Sequence, residues 1–378
     1  MPPLYLVVMV NPLRTFWQRI SDGIEVHKIW MHFHREARAS YAIYGKEVDS
    51  RLPEGHSRWV RFLEVSRILF WAMVLKLSPG RRVLLLLSLL VLAVPLFTFR
   101  YQGLTFWGGT GLLILLALEL ADRVIMKRDL EIAREIQNWL MPATPPAVPG
   151  ADIAFESRAA NTVAGDYYDV LFRAPDSARA STEPERLLFI VADVVGKSVP
   201  AALLMATLQA SLRTLAALPI SLLELIESLN QYVCAQNISG CRYSTAFVAE
   251  LEPGDGRLTY VNAGHNWPVL RRADRRLERL ETGGLPLGIM SSAQYQCGAT
   301  NLAAGDVLLI FSDGLIEAED DNQQEFGEPA MLAVMDDACG KSAADVLAQL
   351  LRSVDSFVGP AHQHDDITCM VVRISARH

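Results

Sequence analysis

Aspartates recur at the ends of apolar, strand-like runs after residue 160. The clusters centre on Asp166, Asp193, Asp313 and the pair Asp365–Asp366. Aspartate is disfavoured inside strands, so its repeated position there needs a reason. A strand end is rigid and holds a side chain at the edge of a sheet, where a site can form.

A pair of hard divalent cations supplies that reason. Mg²⁺ and Mn²⁺ prefer oxygen ligands and keep several waters, so few carboxylates are needed and one of them can bridge two ions. Such a pair activates a shared water and neutralises a phosphoryl group during in-line attack. Ligand spacing rich in His or Cys is absent, which argues against zinc. A single Asp-Gly more often caps a turn, but four clusters in series favour a metal site.

Composition excludes other classes. The chain has 378 residues and a formal net charge of −7, which argues against nucleic acid as a partner. Its five cysteines contain no CxxC pair, so we expect a reducing compartment and thiols buried in the core.

Two uncharged or nearly uncharged runs predict a transmembrane hairpin. Val83–Phe99 and Leu104–Leu120 both reach the lower limit of about 17 residues for a membrane-spanning helix. Only Arg100–Gly103 separates them. A buried helical hairpin in a soluble core is the alternative.

Basic residues flank the outer ends of the pair and predict its orientation. Arg81 and Arg82 precede the first run, and Arg123, Lys127 and Arg128 follow the second. We therefore expect a two-span protein of the bacterial inner (cytoplasmic) membrane, with both ends and the catalytic domain in the cytoplasm.

The segment Ala121–Leu140 lacks Gly and Pro and predicts a linker helix. A heptad-like stripe on it either packs on its own domain or forms a homodimer seam; its members are Met126, Leu130, Ala133, Gln137 and Leu140. Prolines from 142 to 149 then mark a domain boundary. The predicted order is an N-terminal cytoplasmic or membrane-surface region (1–80), the hairpin (81–121), the linker helix (122–145) and a catalytic domain (146–376).

The catalytic region mixes short strands with inserted helices, which favours an α+β layered sandwich over a doubly wound sheet. We predict helices at Val199–Leu218 and Leu222–Asn237. The predicted strands are Leu187–Ala192, Ser244–Leu251, Arg257–Asn262, Val307–Phe311 and Ile367–Arg373.

Six segments in series, together with the helix before them, resemble the PPM-type metal-dependent serine/threonine phosphatases of the SpoIIE/RsbU-like branch. The resemblance covers roughly Glu131 to Val372 and implies the layered αββα sandwich of that family. The segments are Val163–Asp169, Asp193–Ala202, Asn262–Asn266, Leu285–Gly288, Phe311–Gly314 and Asp365–Thr368.

The resemblance also implies residue roles. Asp193 bridges two Mn²⁺ or Mg²⁺ ions, helped by the backbone carbonyl of Val194, while Asp313 and Asp365 complete the second ion's shell. Asp166 is an outer ligand or anchors a water. Asp193 and Asp313 are the expected catalytic pair. Asp169 and Asp366 are less suited: strand alternation sends Asp366 to the side opposite Asp365.

Two residues depart from the family pattern, because Ala164 and Ser198 stand where it usually has Gly. We expect Ala164 to be tolerated and Ser198 to reshape its loop slightly.

Three other side chains have two interpretations each. His265 is a general acid or a structural hydrogen-bonding residue, Lys197 offsets phosphate charge or is solvated, and Arg158 contacts phosphate or forms an exposed ion pair.

The expected activity is hydrolysis of phosphoserine or phosphothreonine by a metal-activated water. No Cys or His nucleophile stands in an activated motif, which agrees with direct attack by water. The resemblance implies a phosphorylated regulatory partner, such as an anti-sigma-factor antagonist. The alternative is a non-catalytic, phosphatase-like signalling module that binds a partner at the membrane.

Overall fold

The computed structural model describes residues 77–97, 103–173, 186–236 and 243–375, with five separate positions between 67 and 75. The predictions for the region before residue 67, for the hairpin loop at 100–102 and for Cys241 therefore lie outside the described residues. The chain divides into two compact units, Met1–Arg123 and Val124–His378, each of which is described by itself.

The first unit contains helix α1 (Pro79–Phe97) and most of the apolar part of helix α2 (Leu104–Leu140). Helix α2 has 37 residues and continues without a break from the second apolar run into the predicted linker, because neither Gly nor Pro interrupts it after Gly111. Gly108 and Gly111 face α1 closely: a Cβ on Gly111 would lie 2.2 Å from Ser88 Oγ. Small residues thus permit close packing of these two helices.

Within the described residues, two helices are long and apolar enough to cross a membrane: α2 and helix α3 (Ser198–Ala216). Helix α3 buries Met205, Leu208 and Leu212 in the core of the second unit, so its apolar character is explained by packing.

The predicted linker stripe packs on its own domain at one position. Gln137 is buried, Leu130, Ala133 and Leu140 are partly buried, and Met126 is exposed. A second apolar stripe on the same helix is exposed to solvent; its members are Ile125, Ile132, Ile136 and Trp139.

The second unit contains eleven described strands in two sheets. The strands are β1 (Ala151–Arg158), β2 (Tyr167–Arg173), β3 (Arg186–Val194), β4 (Ser244–Glu252), β5 (Arg257–Ala263), β6 (Val269–Arg271), β7 (Leu277–Arg279), β8 (Gly283–Gly284), β9 (Gly298–Asn301), β10 (Val307–Phe311) and β11 (Ile367–Ile374). The first sheet has the strand order β1-β11-β10-β6-β7, and the second β2-β3-β4-β5-β8, with β9 also paired to β5. All pairings between these described strands are antiparallel except the short parallel pairing of β8 with β5.

Helices cover the outer face of each sheet. Helix α3 and helix α4 (Leu222–Gln236) pack on the second sheet, while α5 (Gly327–Asp336) and α6 (Ala343–Val358) pack on the first. A third cluster of apolar side chains fills the space between the sheets. The predicted α+β sandwich, its two helices and its five strands are confirmed, with ends shifted by one or two residues. Strands covered on both faces explain the continuous apolar runs.

The cysteines only partly follow the expectation. Cys369 is buried in β11 and Cys234 is half-buried, but Cys297 and Cys339 are exposed. The expectation of buried thiols is therefore wrong for these two positions, which lie in loops where no core covers them.

Candidate functional site

One edge of the sandwich brings the predicted carboxylates together. Strand β10 is antiparallel to β11, with Phe311 opposite Cys369, so the end of β10 meets the start of β11. Asp313 opens a 3-10 turn (Asp313–Leu315) after β10. A Cβ on Gly314 would lie 2.2 Å from the Asp366 carbonyl oxygen, so this turn packs directly against the residues that precede β11.

The adjacent residues Asp365 and Asp366 have different surroundings. Asp366 Oδ1 accepts from the Ala160 amide at 2.8 Å and Oδ2 from the Gly165 amide at 2.6 Å. Asp365 Oδ2 instead accepts from Lys197 Nζ at 2.9 Å. Asp366 therefore fixes the loop between β1 and β2, whereas Asp365 faces the loop after β3.

Asp193 and Val194 end strand β3 beside this edge. A Cβ added to Gly165 would lie 3.2 Å from the Val194 carbonyl oxygen and 3.6 Å from Asp193 Oδ1, so the β1–β2 loop approaches both groups closely. Burial, followed by the charges of Asp313, Asp365 and Asp366, raises the pKa of Asp193 to about 7. Several negative charges thus lie close together at this edge, with the Lys197 ammonium beside Asp365.

Asp166 is the most buried of these carboxylates, with 1% of its surface exposed. Burial and the nearby charge of Asp193 raise its pKa well above the usual range, while the hydroxyls of Thr368 and Ser312 act in the opposite direction. Its Oδ2 atom is buried without a hydrogen-bond partner. An unpaired buried acceptor is costly unless something binds it.

The donor set fits a hard divalent cation. Asp166, Asp193, Asp313 and Asp365 offer carboxylate oxygens, Val194 offers a carbonyl, and the orphaned oxygen of Asp166 points to a missing electropositive partner. Among the described residues, no three His, Cys, Asp or Glu side chains already stand at the spacing that holds a metal ion. The carboxylates share an edge and influence one another's pKa without closing into a complete ligand cage.

His265 is a structural residue in this arrangement. The residue is 4% exposed, ring atom Nδ1 lies 2.9 Å from Thr245 Oγ1, and the backbone amide donates to Asn262 Oδ1 at 2.7 Å. Burial lowers the pKa of His265 to about 4, so the ring is neutral at pH 7. A neutral, buried ring holding a turn fits the structural interpretation rather than the general acid.

Lys197 and Arg158 are both paired. Lys197 Nζ donates to Asp365 and to the His364 carbonyl oxygen, each at 2.9 Å, so it is neither free nor solely solvated. Arg158 pairs with Glu156 and Asp355, both at 2.8 Å. These contacts fit an exposed ion pair rather than a phosphate contact.

Asp169 lies outside this group of carboxylates. It is buried and accepts from Tyr167 Oη at 2.7 Å and from Arg213 Nε at 2.7 Å. The Arg213 guanidinium and the Tyr167 hydroxyl thus satisfy its charge within the fold.

Ala164 and Ser198 differ in how they replace glycine. Ser198 has a φ of 65°, the left-handed region that favours glycine, whereas Ala164 is not among the described residues with positive φ. The expectations that Ala164 is tolerated and that Ser198 affects its loop agree with this geometry.

Sequence reasoning missed the contact between Gln137 and the loop before Asp166. Gln137 Nε2 donates to the Ala164 carbonyl oxygen at 2.7 Å and its Oε1 accepts from the Ala164 amide at 2.9 Å. The available signal was an amide side chain inside an otherwise apolar helical stripe.

Comparison with known proteins agrees with this geometry. The family described as "Stage II sporulation protein E (SpoIIE)" matches residues 183–375, just over half of the chain. This chain belongs to the SpoIIE family. The resemblance to PPM-type protein serine/threonine phosphatases of the SpoIIE/RsbU branch is thereby confirmed.

Curated relatives of this SpoIIE-family chain include phosphoserine phosphatase RsbU of Bacillus subtilis (strain 168), which is 28% identical over 66% of this chain and 70% of RsbU. Phosphoserine phosphatase RsbP of the same organism is 24% identical over 66% of this chain. Protein IcfG of Synechocystis sp. is 22% identical over 68% of it. The matches span 58% of RsbP and 43% of IcfG.

Solved structures share the SpoIIE-family fold. The SiaA-PP2C domain of Pseudomonas aeruginosa aligns with a TM-score of 0.57 at 17% identity, over 68% of this chain and 99% of that one. The RsbU and RsbW domains of Rv1364c from Mycobacterium tuberculosis align with a TM-score of 0.51 at 28% identity, over 63% of this chain and 64% of that one. This chain and these two structures therefore share the PP2C-like α+β sheet fold.

Proposed function

We propose that this chain is a membrane-anchored phosphatase that removes phosphate from serine or threonine of a regulatory protein at a two-metal carboxylate site. The observation that carries the proposal is the shared edge formed by Asp166, Asp193, Asp313 and Asp365, where burial and mutual repulsion raise the pKa of three of them. Carboxylates kept together at such a cost usually serve a function.

Each residue has a distinct task in this proposal. Asp193, helped by the Val194 carbonyl, would hold both cations, and Asp313 and Asp365 would complete the shell of the second. Asp166 would be an outer ligand or anchor a metal-bound water. When bound, the Mn²⁺ or Mg²⁺ pair supplies an activated water and offsets phosphoryl charge. Asp193 and Asp313 are the proposed catalytic pair.

Neighbouring residues keep this pocket in shape and balance its charge. Asp366 binds two backbone amides and so fixes the loop that carries Asp166. Lys197 lies beside Asp365, where its ammonium can also attract the phosphate.

The metal-dependent activity is tested with the full chain in detergent micelles and a phosphoserine peptide. We expect hydrolysis with Mn²⁺, loss of at least about 100-fold with chelator, and a similar loss for Asp193→Asn. Asp274→Asn, an exposed carboxylate in the β6–β7 turn, is the matched control. Equal rates under all these conditions would favour the alternative, a non-catalytic signalling module.

The hairpin supports membrane anchoring. Many of its large apolar side chains are exposed, including Val83, Leu90, Phe106 and Leu113. Exposed apolar surface of this extent marks a membrane or partner contact. Ionic groups lie at one end of the pair, where Arg81 Nη1 is 3.2 Å from Glu119 and 2.5 Å from Asp122. We infer an inner-membrane hairpin with both ends in the cytoplasm.

Cysteine labelling tests this topology. An impermeant maleimide applied to intact cells should label Gly103→Cys, which lies between the helices, and should label Ala143→Cys only after permeabilisation. The five native cysteines all follow residue 233 and should behave like position 143. Labelling of both engineered sites in intact cells would contradict the orientation.

The exposed stripe of α2 supports a homodimer. Alternating steps of four and three residues, which are heptad spacing, connect the members of this stripe. The positions are Ile125, Asp129, Ile132, Ile136 and Trp139. We further propose that rotation or dimerisation of this helix regulates the enzyme through Gln137. Cross-linking of Ile132→Cys in membranes, with Glu135→Cys as control, tests the seam; equal cross-linking at both positions would contradict it.

The substrate is proposed to be a phosphorylated regulatory protein, such as an anti-sigma-factor antagonist. Support comes from the relatives RsbU and RsbP, whose names describe phosphoserine phosphatases. Nucleic acid remains an unsuited partner for a chain of net charge −7.

A further inference from the structure

The rim of the carboxylate pocket is asymmetric in charge. On the side of the first sheet, the segment 316–325 carries five acidic residues, and Glu319 Oε2 lies 3.7 Å from the ring of His364, next to Asp365. On the side of the second sheet, the segment 283–297 carries no charged residue. A phosphorylated, anionic substrate is repelled by the first side and not by the second.

The uncharged side presents large apolar side chains to solvent. Trp267 is 52% exposed, Leu285 44%, Ile289 52% and Met290 47%. We call these four residues the apolar platform. Trp and Met are enriched in protein–protein interfaces and depleted from ordinary surfaces.

The apolar platform adjoins the proposed catalytic edge. Ser244 pairs with Val194 across the second sheet, and it exchanges two backbone hydrogen bonds with Leu287, at 2.8 and 2.9 Å. Leu287 lies between Leu285 and Ile289 in the sequence. The segment that carries Leu285, Ile289 and Met290 is therefore one strand removed from the end of β3.

The loop that carries the platform is held firmly. Buried Asn230 donates from Nδ2 to the Met290 carbonyl oxygen at 2.9 Å and accepts at Oδ1 from the Gly288 amide at 3.0 Å. A Cβ on Gly264 would lie 2.4 Å from Pro286 Cγ, so this loop packs tightly on the turn before Trp267. Apolar side chains fixed outward on a rigid loop lose little entropy when a partner binds.

We propose that the apolar platform binds apolar residues flanking the phosphorylated serine or threonine of the protein substrate, so that the enzyme selects phosphosites in apolar surroundings. This inference rests on the proposed phosphatase function. The acidic rim contributes by disfavouring sites flanked by Asp or Glu.

Two phosphoserine peptides and one small compound test it. The peptides share a sequence except that Leu or Asp flanks the phosphoserine, and para-nitrophenyl phosphate reports on the pocket without flanking contacts. For the full chain in detergent micelles with Mn²⁺, we expect kcat/KM about 10-fold higher for the Leu peptide. Ile289→Ser and Met290→Ser should each reduce that preference to less than about 3-fold, because they remove apolar surface without adding charge that would repel the Asp peptide.

Matched variants separate this effect from misfolding. Phe172→Ser, at an exposed apolar residue near the opposite end of the second sheet, should keep the preference, and Ile289→Ala should weaken it. Equal kcat/KM values of the wild-type enzyme for the two peptides, or an unchanged preference in both Ser variants, would overturn the proposal. The proposal would also be overturned if the platform variants kept the preference but sedimented with a smaller mass than the wild-type protein. The platform would then bind a second copy of the chain. Failure to hydrolyse all three compounds would overturn the phosphatase function, and the inference with it.

Discussion

The side-chain amide of Gln137 pairs with both backbone polar groups of Ala164, at 2.7 and 2.9 Å, two residues before Asp166. The bonds are buried, so their geometry is protected from competing water. Helix α2 is thereby joined to the loop that supplies one of the proposed metal ligands.

Breaking this pairing should lower both the activity and the stability of the enzyme. Gln137→Leu leaves two buried backbone groups unpaired, which costs about 1–3 kcal/mol for each group. We expect kcat/KM for a phosphopeptide to fall by about 10-fold or more, and an increased Mn²⁺ requirement. Glu135→Gln, at an exposed position of the same helix, is the control. Full activity of Gln137→Leu at unchanged Mn²⁺ affinity would show that the contact is merely structural.

Ser198 carries backbone strain that glycine would relieve. Its φ of 65° costs a non-glycine residue about 1 kcal/mol or more. Thermal inactivation of Ser198→Gly should therefore occur at the same or a higher temperature than that of wild type, and Ser198→Val should inactivate earlier, because a branched Cβ tolerates this region poorly. Arg275→Gly, at a φ of 71° in another turn, is the matched control. A lower inactivation temperature for Ser198→Gly would contradict the strain.

Buried His265 should make the fold sensitive to acid. Its pKa falls from 6.5 to about 4 on burial, so the unfolded chain binds a proton at pH values where the folded chain does not. The stability contributed by the neutral ring is complete above pH 6.5 and is lost as the pH falls toward 4, by about 1.4 kcal/mol per pH unit.

The difference between wild type and His265→Gln isolates this contribution, because the carboxylates titrate in both proteins. Denaturant unfolding at pH 7 and pH 5 should show a smaller pH dependence for the variant. If His265 were the general acid, its replacement would also remove one limb of the kcat profile.

Asp193 should oppose stability when no cation is bound. Burial and three neighbouring carboxylates raise its pKa from 3.8 to about 7, so the folded chain loses stability as the pH rises through this range. In chelator at pH 8, Asp193→Asn should melt at a higher temperature, by about 2–4 °C for each kcal/mol recovered. The same variant should be inactive with Mn²⁺. A lower melting temperature in chelator would contradict the electrostatic cost.

Much of the architecture could be read from local patterns. Continuous apolar runs such as Leu187–Ala192 predicted strands buried on both faces, and β3 occupies that position because helices cover one face and the other sheet covers the second. Local patterns could not show which face of helix α2 packs on the catalytic domain. Both apolar stripes of α2 have helical spacing, and only the position of the β1–β2 loop selects the one that contains Gln137.

The sequence by itself determined the family, the order of the acidic motifs and the alternation of strands and helices, because these depend on neighbouring residues and local periodicity. Tertiary structure decided which carboxylates remain available to a cation. Asp169 is satisfied by Arg213 and Asp366 by the Gly165 amide, whereas Asp166 keeps an unpaired oxygen. Those partners lie 44 and 201 residues away in the chain. Local spacing cannot specify such contacts, since they exist only once distant segments of the chain have packed together.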